Sequence, residues 1–202
     1  MTTRTTSEFI DPRPIYVRAT EQAAALIKTV RPDQLDGPTP CTEFDVRGLL
    51  SHIVGGTRRI AVVGEGGDGL AVQPVADGVE DEGWAAAYDE VRVRVLKAWE
   101  SDERMAAPVR VPWGEVPGYA ALSGYVMEIV THTWDLAEAL GHPHRLDPEL
   151  ARFALTTARQ VLPDSRPRDE NTPFDTRRQT PENADVYEQL AAWLGRTPLS
   201  RA

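Results

Sequence analysis

Glu128 and His132 lie four residues apart in a stretch of sequence that is otherwise short of charge. On a helix, side chains at i and i+4 are neighbours with Cβ atoms about 6 Å apart. A carboxylate and an imidazole so placed can share one ion. Burying a lone carboxylate is costly unless charge or hydrogen bonds compensate it, and a bound cation supplies that charge. Two ligands leave a site incomplete, so a third must come from another helix. The chain has four histidines, His52, His132, His142 and His144. The last two fall in the turn-like segment Gly141-His-Pro-His144, whereas His52 joins His132 on a well-formed helical pattern, between Leu49 and Gly55-Gly56. Small residues at those glycine positions leave room beside an ion.

Two histidines, one carboxylate and an open fourth position make the pattern of a catalytic zinc rather than a structural one. Asp135, one turn beyond His132, is placed to orient that imidazole from behind. Tyr125, one turn before Glu128, is placed to donate a hydrogen bond. The same residues admit plainer readings. Glu128 and His132 make a hydrogen-bonded pair in a core, His52 a satisfied core histidine, Asp135 a backbone cap or an arginine partner, and Tyr125 a packing residue. Cys41 precedes a helix, where a thiol can acquire a lowered pKa, but flanking Pro40 and Thr42 favour a packed turn. The five tryptophans, Trp84, Trp99, Trp113, Trp134 and Trp193, read as packing residues.

The elements that must position these groups follow from apolar spacing. Tyr16, Ala19, Ala23, Leu26 and Val30 recur at helical intervals and predict a helix from about Pro14 to Val30. Thr42-Glu43-Phe44-Asp45 resembles a capping box with Thr42 as N-cap. It opens a second helix bearing Val46, Leu49, Leu50, Ile53 and Val54 and running to about Val63. Trp84, Tyr88, Val91, Val95 and Trp99 predict a third over about Asp81 to Ser101. Ala107 to Gly114 reads as an extended connection or a short hairpin, since its prolines exclude a central strand. The fourth helix, from about Pro117 to Leu140, has apolar residues around most of its girth and is expected to be buried. Further helices are predicted over about Pro148 to Val161 and Glu182 to Leu194, the latter stopping at Gly195. The order describes an all-α four-helix bundle with additional short helices and a small hairpin. Residues 1–13 form a flexible arm, and 14–202 a single metal-binding domain.

Composition narrows the function. A formal net charge of -9 and the absence of a Lys/Arg stripe exclude nucleic acid as an expected partner. The glycines between Gly64 and Gly69 lack a following Lys-Ser/Thr and carry Glu65 and Asp68, which suits a loop better than a phosphate cradle. The arginines from Arg152 to Arg178 alternate with acids and read as a solvated face, with small-anion binding as the alternative. The single cysteine fits a reducing compartment. With no apolar leader and no apolar run of about 18 residues, a cytoplasmic location without membrane contact is expected.

The segment Pro38-Thr39-Pro40-Cys41-Thr-Glu-Phe-Asp45-Val46-Arg47-Gly-Leu-Leu-Ser-His52 resembles the metal-binding N-terminal domain of the mycothiol-dependent maleylpyruvate isomerases, within the DinB-like bundle superfamily. Glu128-x3-His132-Thr-Trp-Asp135-Leu-Ala is similar to the second signature of that group. The tail, Leu190-Ala-Ala-Trp-Leu-Gly-Arg-Thr-Pro, is similar to the end of a compact actinobacterial branch. The resemblance implies a four-helix bundle and a divalent metal, zinc or another such as nickel, held by His52, Glu128 and His132. It also implies mycothiol or a similar small thiol as cosubstrate. The activity it implies is transfer or isomerisation of a small electrophile through a metal-bound thiolate, by a monomer or homodimer. A non-catalytic binding or sensing module is the alternative. Phe44 stands where the family often has tryptophan. The isomerases carry a further C-terminal domain for the substrate, and a tail of one helix is not expected to supply it.

Overall fold

A computed structural model describes residues 10–141, 145–165, 168, 174–180 and 182–199. The expected arm therefore falls mostly outside the described residues, as do His142, His144 and Arg166. Among the described residues the chain forms seven α-helices and one two-stranded hairpin.

Helix α1 (Arg13–Ile27) opens with Pro14 in its first turn, where a missing N–H costs no helical bond. Helix α2 (Val46–Gly64) follows a loop whose ends are joined by the bridge between Pro38 and Asp45. Its N-cap is Asp45, not Thr42: the Asp45 carboxylate accepts from the Gly48 N–H at 2.7 Å. Thr42 and Glu43 instead lie in the turn closed by Phe44 N–H donating to the Cys41 carbonyl. Helix α3 (Trp84–Ala98) ends earlier than expected. Trp99 caps it and donates its indole N–H to the Ile60 carbonyl at 3.0 Å. Ser101 then caps a separate short helix, α4 (Asp102–Ala106). The expected hairpin forms as β1 (Pro108–Val111) and β2 (Gly114–Pro117), antiparallel, with Pro108 opposite Pro117 at its open end. Proline is tolerated at such edge positions.

Helix α5 (Gly118–Ala139) is the central element. Leu122, Val126, Val130 and Leu136 are at most 1% exposed. It packs against α1 and α2, while α3 packs against both of those helices, closing a four-helix bundle. Helix α6 (Pro148–Val161) lies against α5, and α7 (Val186–Trp193) lies against α6 and α5. Helix α7 starts later than its apolar pattern implies. Asp185 and Glu188 form a reciprocal capping box there, each side chain accepting from the other's backbone N–H. Truncating a buried leucine of α5 to alanine would cost about 2–5 kcal/mol, so the bundle holds the faces of α2 and α5 in fixed register. Among the described residues no helix is long and apolar enough to cross a membrane.

Candidate metal centre

The facing surfaces of α2 and α5 bring His52, Glu128 and His132 together. One donor atom from each lies within 4.8 Å of the others. His52 Nε2 is 3.3 Å from Glu128 Oε1, and the two imidazoles meet edge to face with centroids 4.9 Å apart. Phe44, from the turn before α2, stacks on His52 at 5.0 Å and 24° and fixes its ring plane. The small residues following His52 have separate uses. A Cβ on Gly55 would fall 2.3 Å from the Val75 backbone, so this glycine admits the 72–76 loop. A Cβ on Gly56 would lie 3.7 Å from Glu128 Oε1, so Gly56 keeps the helix surface low beside the donors.

The donors line a cavity of about 580 Å³. His132 is buried, while the His52 and Glu128 side chains remain 18% and 29% exposed. Burial raises the pKa of the Glu128 carboxyl. The hydrogen bond from His52 and the charges of His52, His132 and Arg59 outweigh that effect and hold it below its ordinary range. Tyr125 reaches the same cavity from one turn earlier on α5. Its hydroxyl is buried without a hydrogen-bond partner. Burial, and then the nearby Glu128 charge, push its pKa well above the ordinary phenol value, so it is a proton donor across the physiological range.

Behind His132, its Nδ1 lies 3.1 Å from Asp135 Oδ2, and Asp135 is fully buried. A carboxylate only accepts hydrogen bonds, so Nδ1 carries the proton and Nε2 is left with its lone pair for a ligand. Cys41 Sγ, His132 and Asp135 form a second set of donors within 4.8 Å of one another. Arg196 is wedged into this second set. Its Nη2 donates to Cys41 Sγ at 3.2 Å, and its Nε lies 3.4 Å from both carboxylate oxygens of Asp135. Burial pushes the Cys41 thiol's pKa up, with the Arg196 charge opposing and the Asp135 charge adding to the rise.

Trp113 packs as expected, meeting Tyr125 edge to face at 5.4 Å, but it does so at the hairpin tip, 47% exposed, where it lines the cavity. Gly124 permits that approach, since a Cβ there would stand 2.9 Å from the indole. Arg168, half-buried, lines the cavity and donates to the Asp175 carbonyl. Arg152 and Arg177 fit the expected solvated face, pairing with Glu149 and Asp164 at half-exposed positions. Arg196 and Arg59, both on the cavity wall, carried no local pattern that marked them as site residues. The nearest signal for Arg196 is the Leu194-Gly195-Arg196 segment that follows α7.

Residues 16–137 match the profile of the mycothiol maleylpyruvate isomerase N-terminal domain. That segment contains Cys41, His52, Tyr125, Glu128, His132 and Asp135, whereas Arg196 lies beyond it. Two uncharacterized proteins of Mycobacterium tuberculosis, from strains CDC 1551 / Oshkosh and ATCC 25618 / H37Rv, are each 35% identical to this chain over 188 residues. The match covers 93% of this chain and 99% of each relative. No solved structure matches.

Proposed function

This chain belongs to the mycothiol maleylpyruvate isomerase N-terminal domain family, and on that premise we propose that it is a thiol-dependent transferase or isomerase working at a divalent metal held by His52, Glu128 and His132. The observation that carries this reading is the convergence of three donor atoms from two helices within 4.8 Å, on the wall of a cavity large enough for small ligands. The donor set fits zinc. Two ligands at about 2.0–2.1 Å from a tetrahedral zinc are about 3.3 Å apart, and His52 Nε2 and Glu128 Oε1 are separated by 3.3 Å. Nickel suits the same nitrogen and oxygen donors. The Cys41 set fits less well, because the Arg196 guanidinium already supplies positive charge there.

A bound cation at this position would lower the pKa of a small thiol and hold it in nucleophilic form. The protein's own residues do the rest. Asp135 holds the His132 proton on Nδ1 and so aims Nε2 at the site. Phe44 keeps the His52 ring from rotating. Tyr125, un-ionised, donates a hydrogen bond to charge developing on the electrophile. Trp113 and Met127 on the cavity wall give the electrophile an apolar surface and exclude water.

The test is direct. Zinc-loaded protein is incubated with mycothiol and a panel of electrophiles that includes 1-chloro-2,4-dinitrobenzene, and thiol consumption is followed. Acceleration over the uncatalysed rate that disappears in His132→Ala supports the proposal. Stoichiometric zinc with no acceleration across the panel overturns it. A mycothiol-dependent rise in melting temperature without product would instead favour a binding module.

A further inference from the structure

His132 is shared by two overlapping sets of donors, one with His52 and Glu128, the other with Cys41 and Asp135. One imidazole cannot serve both equally. If Nδ1 turns to a metal beside Cys41, it loses the Asp135 hydrogen bond that fixes its tautomer. Something must settle which side is used, and the structure supplies a fixed cation at the competing side. Arg196 is 10% exposed, contacts Cys41 Sγ at 3.2 Å, and lies 3.4 Å from each oxygen of Asp135. Apart from this ion pair, Asp135 Oδ1 has no hydrogen-bond partner, although Asp135 is fully buried. An arginine stays charged at any working pH.

Resting on the metal-site reading above, we infer that Arg196 is a positioning residue. It keeps divalent cations out of the Cys41–Asp135 pocket and holds Asp135 for the His132 Nδ1–H, directing the metal to the Nε2 side with His52 and Glu128. The backbone delivers Arg196 to this place. Helix α7 ends with Arg196 N–H donating to the Ala191 carbonyl and Gly195 N–H donating to the Ala192 carbonyl, the double closure of a Schellman turn. Gly195 occupies the left-handed region at φ 80° that this turn requires. The reversal sends the next side chain back against α5 and the turn before α2. Phe174 backs the guanidinium at 5.8 Å.

The inference is tested with cobalt(II) as the metal probe on the full chain. Thiolate ligation to cobalt gives an intense near-ultraviolet charge-transfer band that nitrogen and oxygen ligands do not. Wild-type protein should take up cobalt without that band. In Arg196→Met, Asp135 and Cys41 lose their cation, so the band should appear and cobalt should protect Cys41 from alkylation. Arg196→Lys, which restores a charge, should suppress the band, and Cys41→Ser in the Arg196→Met background should abolish it. A thiolate band in the wild type, or an Arg196→Met spectrum identical to the wild type, overturns the inference. Cys41→Ser alone tests it independently of the folding of the arginine variants. Its cobalt affinity should match the wild type, and a loss of about tenfold or more, the effect of removing even an outer partner, would contradict the assignment. Wild-type protein that binds no cobalt would overturn the metal-site reading itself, and this inference with it.

Discussion

Adjacent glycines on α2 should respond in opposite directions to the same substitution. Glycine inside a helix is less favourable than alanine by about 1 kcal/mol, so on propensity alone Gly55→Ala and Gly56→Ala both stabilise. Their surroundings differ. A Cβ on Gly56 meets Glu128 Oε1 at 3.7 Å, an ordinary contact, and the gain of about 1 kcal/mol should survive. A Cβ on Gly55 would lie 2.3–2.4 Å from the Val75 backbone, where carbon contacts normally begin near 3.5 Å. The loop must then move by about 1 Å. The Ser51–Ala76 contacts anchor it there: Ala76 N–H to the Ser51 carbonyl and hydroxyl, and Ser51 hydroxyl to the Ala76 carbonyl. Losing these, at about 1 kcal/mol each, outweighs the propensity gain and leaves a net destabilisation of about 2 kcal/mol. For a domain of this size that is a fall of roughly 4–8 °C in melting temperature, against a rise of about 2–4 °C for Gly56→Ala. Thermal unfolding of the metal-free proteins by circular dichroism measures both. Equal shifts in the same direction would refute the assignment of Gly55 to loop docking.

Asp135→Asn should keep the fold but lower zinc affinity by about 10–100-fold, read by competition with a chromophoric chelator; unchanged affinity would contradict the orienting role of Asp135. In metal-free protein the Glu128 carboxyl is held below its ordinary value of 4.5, so its stabilising contribution is present above that value and lost as pH falls through the lower folded one. The stability gap between wild type and Glu128→Gln in urea should therefore shrink from about pH 6 to about pH 3, and a constant or widening gap would count against it. Gly195→Ala forces a left-handed backbone at a cost of about 1–2 kcal/mol. It also sets a Cβ 2.4 Å from Asp175 Cβ, so the melting temperature by circular dichroism should fall, and an unchanged value would contradict the role of this turn.

The bundle was legible because α2, α5 and α6 bury long stripes whose spacing is local information. Its errors came where a side chain or cap outcompeted the stripe. Asp45 took the N-cap from Thr42, and Trp99 turned its indole to Ile60 and ended α3 before Ser101. The Glu128–His132 pair is legible from its spacing of four, and of the two glycines expected to leave room beside an ion only Gly56 does so, since Gly55 faces the Val75 backbone. The cluster behind His132 is not legible, because it joins Arg196 to residues 61 and 155 positions away. No periodicity encodes such a contact. Trp113 packs as its type suggests, but only the hairpin's fold shows that it packs on Tyr125 at the cavity wall rather than inside the bundle.

Crystals of the full chain grown with zinc, with diffraction collected on both sides of the zinc absorption edge, would locate the metal directly. The account predicts one strong anomalous peak about 2.0–2.2 Å from a nitrogen of His52, a Glu128 oxygen and the His132 Nε2, with Arg196 still against Asp135. A peak bonded to Cys41 Sγ, or none between the two imidazoles at full zinc occupancy in solution, would contradict it.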